Sequence, residues 1–178
     1  MDDKMFDITV DDRQVQKMIG NLLNKVERPK PLMSKIERYV NAITFQMFDG
    51  KRPDTSGVRG VKWKKLAPST IKQKKALAKR GGLASGTAPR RPLVRTGKMR
   101  DSLKVLKRSD RGFEYGTRLK SKKGFPYPGV HNAGGKNGRP PQRPWIFLTR
   151  DDFAQIASMT VDFLEDVRKS FRKYVIKK

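Results

Sequence analysis

Apolar residues recur at three- and four-residue intervals in two segments near the start of the chain. In the first segment, Asp11 or Asp12 can cap a helix whose apolar face carries Val15, Met18, Ile19, Leu22, Leu23 and Val26. The proline-rich residues 28–31 end it, and a second segment with the same spacing runs from about Leu32 to Phe48. The pattern predicts two amphipathic helices. Ahead of them, alternation of apolar and polar positions predicts a short strand over residues 5–10.

Residues 51–100 have a different pattern, with few apolar positions and frequent glycine and proline. They contain 16 Lys or Arg and one acidic residue, Asp54. A short basic helix is predicted from Thr70 to Arg80, with Pro68 just before it. The rest is predicted to be loop, so residues at about 51–95 are expected to form a basic arm rather than part of the core.

A strand-like pattern follows this stretch. Leu103, Val105 and Lys107 alternate with other residues, and Ser109-Asp110-Arg111-Gly112 has the composition of a hairpin turn. Phe113 to Thr117 is then predicted as the returning strand of an antiparallel pair.

The last third of the chain contains the densest apolar run. Phe125 to His131 is predicted to be extended, and Trp145 to Leu148 is predicted as a buried strand that closes the sheet. Thr149 stands three residues before Asp152, which is the spacing of a capping box at the start of a helix. A long C-terminal helix is predicted there, with an apolar stripe at Phe153, Ile156, Thr160, Phe163, Leu164, Val167, Phe171 and Val175.

Together these elements predict an α+β fold. A small antiparallel sheet is expected to pack against amphipathic helices, including the long C-terminal helix, with extended basic loops or arms around it. Residues 1–30 are interpreted as an N-terminal strand and helix extension. Residues 31–178 are interpreted as a single domain that carries the basic arm.

Charge is the most unusual property of the composition. The chain of 178 residues has a net charge of +25, and 35% of its residues are hydrophobic. Such a chain repels itself at low salt unless nucleic acid, anionic lipid or an acidic protein surface neutralises it. There is no cysteine, which excludes disulfides and is consistent with a reducing cytoplasm. No run approaches the roughly 18 apolar residues of a membrane span, so we expect a soluble protein without a membrane partner.

Residues that could carry out catalysis are few. His131 is the only histidine, which excludes a site with several histidine ligands, and the sequence supplies no evident nucleophile beside it. Asp151-Asp152 stands where a helix N-terminus favours negative charge. The glycine-rich residues 134–138 lack the spacing of a phosphate-binding loop. We therefore expect no enzymatic activity, no cofactor and no metal; a basic nuclease that uses His131 as its base is kept as a third hypothesis.

The basic block supports a second hypothesis. Lys72, Lys74, Lys75 and Lys79 could engage phosphates, and binding of that kind falls steeply as salt rises. Trp63 is the only aromatic residue of the block, so readout of bases is not expected. The alternative function is therefore a protein that contacts duplex DNA without sequence specificity.

Four short blocks, taken in order, resemble one protein family. They are Gly60-Val61-Lys62-Trp63-Lys64-Lys65-Leu66 with Thr70, Leu93-Val94-Arg95-Thr96-Gly97 through Ser102-Leu103, Tyr127-Pro128-Gly129-Val130-His131-Asn132-Ala133-Gly134, and Arg143-Pro144-Trp145-Ile146-Phe147-Leu148. Over about residues 32–165 the chain is similar to the virion morphogenesis or tail-completion proteins of tailed phages. It departs from the family pattern at Pro128 and Gly129, where the family usually continues as a strand.

The resemblance implies a small α+β subunit of a ring, with six-fold symmetry expected, at the neck of a virion assembled in the cytoplasm of the host bacterium. It implies partners in other copies of the chain, in the tail tube or terminator and in the head connector, with DNA in the lumen as a further contact. The residues expected at subunit or partner interfaces, besides the four lysines, are Trp63 and Leu66 as anchors of the arm, Thr96-Gly97 as a turn, His131 and Asn132 beside a loop that faces a neighbour, and Arg143 and Trp145.

Overall fold

Helices dominate the structure, a computed structural model that describes residues 13–48, 63–85 and 87–175. In chain order the elements are α1 (Arg13–Glu27), α2 (Lys30–Gln46), α3 (Pro68–Lys79), α4 (Lys98–Asp101), β1 (Lys104–Arg108), β2 (Phe113–Gly116), α5 (Tyr127–Ala133), a 3-10 turn (Lys136–Gly138) and α6 (Arg150–Val175). The predicted α+β class, with a small antiparallel sheet and a long C-terminal helix, is confirmed. The strand predicted over residues 5–10 and the first part of the basic arm, residues 51–62, lie outside the described residues.

The two amphipathic helices near the start of the chain form as their spacing predicts. A proline in the first turn of α2 is compatible with a helix because the N–H it lacks has no intrahelical partner there. Leu32, Ile43 and Thr44 of α2 are buried. Met47 and Phe48, which follow the helix, are almost fully buried and belong to the core. The residues that follow α2, Met47 and Phe48, therefore contribute two large apolar side chains to the core.

The predicted hairpin is also confirmed. Strands β1 and β2 pair antiparallel, with Lys104 opposite Gly116 and Arg108 opposite Phe113, and an irregularity between Val105 and Lys107. The turn is closed by the Ser109 backbone N–H, which donates to the carbonyl of Gly112 at 2.8 Å. In the described part of the chain this hairpin is the whole sheet.

Polar contacts hold the hairpin against the first two helices. The Tyr115 hydroxyl donates to Oδ1 of Asn41 in α2, and Arg108 pairs with Glu37 of the same helix. Asp110 in the turn forms ion pairs with Arg28 at 3.7 Å and with Lys30 at 3.1 Å. These ion pairs lie at the surface, where each contributes less than about 1 kcal/mol, so they orient the hairpin more than they stabilise it.

Helix α6 begins with the predicted capping box. The Thr149 backbone N–H and hydroxyl both donate to Oδ2 of Asp152 at 2.6 Å, and the Asp152 N–H donates back to the Thr149 hydroxyl oxygen at 3.2 Å. The other carboxylate oxygen of Asp152 accepts the Tyr39 hydroxyl of α2 at 2.7 Å. Asp152 thus caps α6 and ties it to α2, and α6 also contacts α1.

Among the described residues, seven buried side chains form one core cluster. They are Met47, Phe48, Trp63, Val94, Met99, Leu103 and Trp145. Two of them, Trp63 and Val94, come from the stretch that the sequence predicted to contribute little to the core, and that expectation is wrong at these positions. Apolar residues are sparse in this stretch, yet both join the core cluster, and the indole N–H of Trp63 donates to the segment before α6.

Two sequence predictions near the end of the chain are wrong. The sequence predicts Phe125 to His131 to be extended, but Tyr127–Ala133 is helix α5, and Pro128 in its first turn is compatible with a helical start. Trp145 to Leu148 is buried at its first residue but is not a strand. Pro144 has no N–H, and the N–H groups of Trp145 and Ile146 both donate to the side chain of Asn132, so these three residues offer no donors for a strand ladder.

Candidate functional site

The segment from Arg143 to Trp145 connects the blocks that are separate in sequence. The indole N–H of Trp63 donates to the carbonyl of Pro144 at 2.8 Å. The indole N–H of Trp145 donates to the carbonyl of Pro128 at 2.9 Å. The Trp145 ring also lies 6.2 Å from the ring of Phe48, measured between centroids. Both tryptophans therefore bury their rings and still satisfy their polar N–H groups.

Arg143 holds the same region from the other side. Its guanidinium is buried, and its Nε and Nη2 atoms donate to the carbonyl of Lys64 at 3.1 and 3.0 Å. Its backbone N–H donates to the carbonyl of His131 at 2.7 Å. The amide oxygen of Asn132 accepts from the Trp145 N–H at 2.9 Å. Asn132, expected beside a loop facing a neighbour, is thus engaged inside the molecule, as are Arg143 and Trp145.

A cavity of about 380 Å³ lies beside this junction. Its walls carry five Lys or Arg residues together with the single histidine: Lys74, Arg91, Arg95, Lys98, Arg143 and His131. Neutral hydrogen-bonding groups from Thr70, Gln73 and Thr96 also line it. Among the described residues no Asp or Glu lines the cavity. The described part of the cavity wall therefore carries a net positive charge.

Lys74 is the most unusual cation of this cavity. It is 4% exposed, and its Nζ donates to the backbone carbonyl of Arg91, which is itself 1% exposed. Burial, with the neighbouring charges of Arg91 and Arg95, lowers the pKa of Lys74 from 10.5 to about 8. An ammonium group in such surroundings is costly to keep charged, since a buried cation is normally paired with an anion.

His131 also lines the cavity. Burial, with the nearby charge of Arg143, lowers the pKa of its imidazole below the usual 6.5. The ring is therefore neutral at pH 7, and it lies edge-on to Tyr127 at a centroid distance of 6.4 Å. Its buried Nδ1 atom makes no hydrogen bond within the described residues.

Thr96-Gly97 forms the turn that the sequence predicts. Gly97 has a φ of +79°, in the left-handed region, and precedes α4. A Cβ atom at this position would come within 2.8 Å of Oδ2 of Asp101. The backbone conformation therefore favours glycine strongly at this position, and a larger residue would also displace the Asp101 carboxylate. The turn places Thr96, Gly97 and Lys98 in the wall of the cavity.

The four lysines grouped by the sequence separate into two environments on α3. Lys72, Lys75 and Lys79 are exposed and fall within an arc of about 60° around the helix. Lys74 points about 130° from the middle of that arc, into the cavity. Lys72, Lys75 and Lys79 therefore form a solvent-facing basic surface without Lys74. We call this surface the α3 basic face. Leu66, expected to anchor the arm, is half-buried and lines the cavity.

Large apolar side chains are exposed along α1 and α6. On α1 they are Ile19, Leu23 and Val26, which lie within an arc of about 60°. On α6 they are Phe153, Val161, Leu164 and Phe171, which lie within about 80° beside the half-buried stripe that contacts the rest of the molecule. Phe153 is 60% exposed and Leu23 is 56% exposed. The apolar stripes predicted from the sequence are thus wider than the surface that covers them.

Comparison of the chain with protein-family models, with curated proteins and with solved structures finds no match. Within residues 13–48, 63–85 and 87–175, no group of three or more His, Asp or Glu side chains is placed to hold a metal ion. None of the helices in these ranges combines the length and the apolar character that crossing a bilayer requires.

Sequence reasoning did not predict the cavity. Arg91, Arg95 and Lys98 were counted in the charge of the basic block but were not singled out. The available signal was the near absence of acidic residues over residues 51–100, which supply most of the cavity wall. When a fold buries part of a stretch that is rich in Lys and Arg and almost free of Asp and Glu, the buried cations come together with few carboxylates nearby.

Proposed function

We propose that this protein is a non-enzymatic structural component of a tailed-phage virion. It forms a ring, six-fold in this proposal, at the neck, where it completes the tail and joins it to the head connector. It assembles in the cytoplasm of the host bacterium. Its partners are other copies of itself, the tail tube or terminator, and the connector.

The observation that carries the assembly role is the exposed apolar surface of α1 and α6. Monomeric proteins rarely leave contiguous large apolar patches in water, and such patches mark surfaces that other molecules cover. Among the side chains described on these two helices, seven large apolar ones are exposed. Covering them in a ring of identical subunits removes apolar area from water at each interface.

The phage assignment rests on the four resembling blocks, and the contacts between them support it. Trp63 from the first block bonds to Pro144 in the fourth. Asn132 and Pro128 from the third block bond to Trp145 in the fourth. Met99 and Leu103, from the second block, belong to the same core. Residues of all four blocks thus meet in one unit, as is expected when they define one fold.

The assembly role is tested by charge substitutions on the exposed apolar surface. Leu23→Glu and Leu164→Glu place a carboxylate where a neighbour would pack, and both positions are exposed in the single chain. The full chain is expected to form a discrete oligomer by analytical ultracentrifugation. Both variants are expected to shift toward monomer with unchanged helix content.

Gln155→Glu is the matched control, since it adds the same charge at an exposed position on the polar side of α6. It is expected to keep the oligomer. A wild-type chain that stays monomeric at all concentrations, and a phage that assembles normally without the gene, together contradict the proposal.

The α3 basic face favours a second candidate function, contact with duplex DNA without sequence specificity. Three exposed lysines on one side of a helix can meet consecutive backbone phosphates. Replacing Lys72, Lys75 and Lys79 with glutamine is expected to weaken DNA binding and to reduce the salt slope by about 1 for each phosphate that is no longer neutralised. Absence of duplex binding at about 50 mM salt excludes this candidate.

A further inference from the structure

We propose that the cavity between α3, the Thr96-Gly97 turn and α5 is a binding site for a phosphate group, held by Lys74, Arg91, Arg95 and Lys98. The site does not depend on the assembly role, because its residues belong to one chain and lie apart from the exposed apolar positions of α1 and α6.

The charge of the cavity is the first argument. Five Lys or Arg side chains line one half-open cavity, and within the described residues no carboxylate does. Two of these cations, Lys74 and Arg91, are almost completely buried. Like charges gathered around one space repel one another, and a bound anion relieves that repulsion, so a site of this composition attracts an anion from solution.

The size and donors of the cavity indicate which anion fits. A space of about 380 Å³ accommodates a phosphate or pyrophosphate with some water, whereas it is too small for a nucleic-acid duplex. Arginine guanidiniums present paired N–H groups that match phosphate oxygens. Thr70, Gln73 and Thr96 add neutral donors on the walls. A group carrying two negative charges compensates this set of cations better than a single carboxylate does.

The lowered pKa of Lys74 makes phosphate binding detectable as proton uptake. Its pKa is lowered to about 8 by burial and by Arg91 and Arg95. A bound phosphate opposes both effects, because it places negative charge beside the ammonium group. Binding at pH 8 is therefore expected to raise the pKa of Lys74 and to take up protons from the buffer.

The test uses the full chain with sodium pyrophosphate or inorganic phosphate as the probe, against sodium chloride at equal ionic strength. Isothermal titration in buffers of different ionisation enthalpy reports both affinity and proton uptake. We expect saturable binding with proton uptake at pH 8. The variant Lys74→Met is expected to abolish the uptake and to weaken binding by about tenfold or more, since it removes a charge-assisted hydrogen bond to the phosphate.

A second variant keeps the test valid if Lys74→Met does not fold. Arg95→Gln combined with Lys98→Gln removes two cations that line the cavity but are exposed at its rim. It is expected to weaken binding by about tenfold as well. The matched control, Lys72→Gln with Lys75→Gln, removes the same charge from the α3 basic face and is expected to change affinity less than about twofold.

The source of the phosphate is distinguished with short single-stranded oligonucleotides that carry either a 5′-phosphate or a 5′-hydroxyl. Preference for the 5′-phosphate, lost in the Arg95→Gln/Lys98→Gln variant, assigns the site to a terminal phosphate. Binding of pyrophosphate alone assigns it to a free anion. Equal binding of both strands with loss in the Lys72→Gln/Lys75→Gln control, or no saturable binding of any probe, overturns the proposal.

Discussion

Two nitrogens of the Arg143 guanidinium, Nε and Nη2, donate hydrogen bonds to the same carbonyl oxygen, that of Lys64, at 3.1 and 3.0 Å. The two residues are 79 positions apart in the sequence. Beside them the indole N–H of Trp63 donates to the carbonyl of Pro144. Residues 63–65 are thus fixed to the segment that precedes α6 by two kinds of hydrogen bond. The Trp63 side chain bonds to the backbone of that segment, and the Arg143 side chain bonds to the backbone of residues 63–65.

Arg143→Lys is predicted to destabilise the protein although it keeps the charge. An ammonium group cannot reproduce the two hydrogen bonds that the planar guanidinium fork donates to the carbonyl of Lys64. We expect the free energy of unfolding to fall by about 1–3 kcal/mol in urea denaturation. Arg139→Lys is the control because Arg139 is exposed, and it is expected to change stability by less than about 0.5 kcal/mol. Equal effects of the two substitutions would show that the fork contributes nothing.

Trp145→Ala is predicted to be among the most damaging single changes in the chain. The side chain is 4% exposed, packs on Phe48 and satisfies the carbonyl of Pro128. Its loss leaves a cavity in the core, with an expected cost of about 3–5 kcal/mol in the free energy of unfolding. Leu148→Ala, three residues later and 39% exposed, should cost less than about 1 kcal/mol. A melting temperature unchanged in Trp145→Ala contradicts its burial.

Thr149→Ala is predicted to weaken the start of α6. It removes the hydroxyl that accepts from the Asp152 N–H and donates to the Asp152 carboxylate. Loss of an N-cap side chain costs about 0.5–2 kcal/mol, which chemical denaturation can measure. The neighbouring variant Asp151→Asn leaves both groups of the capping box in place and serves as the reference. If Thr149→Ala proves no more destabilising than Asp151→Asn, the capping box is not used in solution.

Acidification is predicted to destabilise the fold through His131. The folded-state pKa of this residue lies below its usual 6.5, so between the two values the unfolded chain binds a proton that the folded chain does not. The contribution of His131 to stability is therefore complete above pH 6.5 and is lost as pH falls through the folded-state pKa.

The measurement compares unfolding free energies of the wild type and of His131→Gln from pH 7.5 down to pH 5. The wild type is expected to lose more stability than the variant over this range, because glutamine does not titrate. Parallel pH profiles for the two proteins would assign the acid sensitivity to other groups.

Much of the fold follows from local patterns in the sequence. The spacing of apolar residues predicts α1, α2 and α6, and the Thr149-Asp152 pair marks the start of α6. The hairpin follows from alternation around the polar turn at Ser109 to Gly112. These features depend on contacts between residues a few positions apart, which a sequence displays directly.

Other features depend on contacts between distant residues. The run Trp145 to Leu148 has the composition of a strand. However, the backbone N–H groups of Trp145 and Ile146 donate to the side chain of Asn132 instead of to a neighbouring strand, and nothing within the run itself indicates this partner. Tyr127–Ala133 is a helix although the sequence predicts an extended segment from Phe125 to His131, since Pro128 falls in the first helical turn, where proline is tolerated.

The charge of this protein was determined by its sequence alone, but the tertiary structure decided where each charge lies. Composition sets a net charge of +25 and a stretch of 50 residues with one acid. Lys74 and Lys75 are adjacent in that stretch and chemically identical, yet Lys75 is exposed and Lys74 is buried against the carbonyl of Arg91. The difference arises because one side of helix α3 faces the cavity. Residues 91 and 93–99, which follow α3 after a loop, line that cavity beside Lys74.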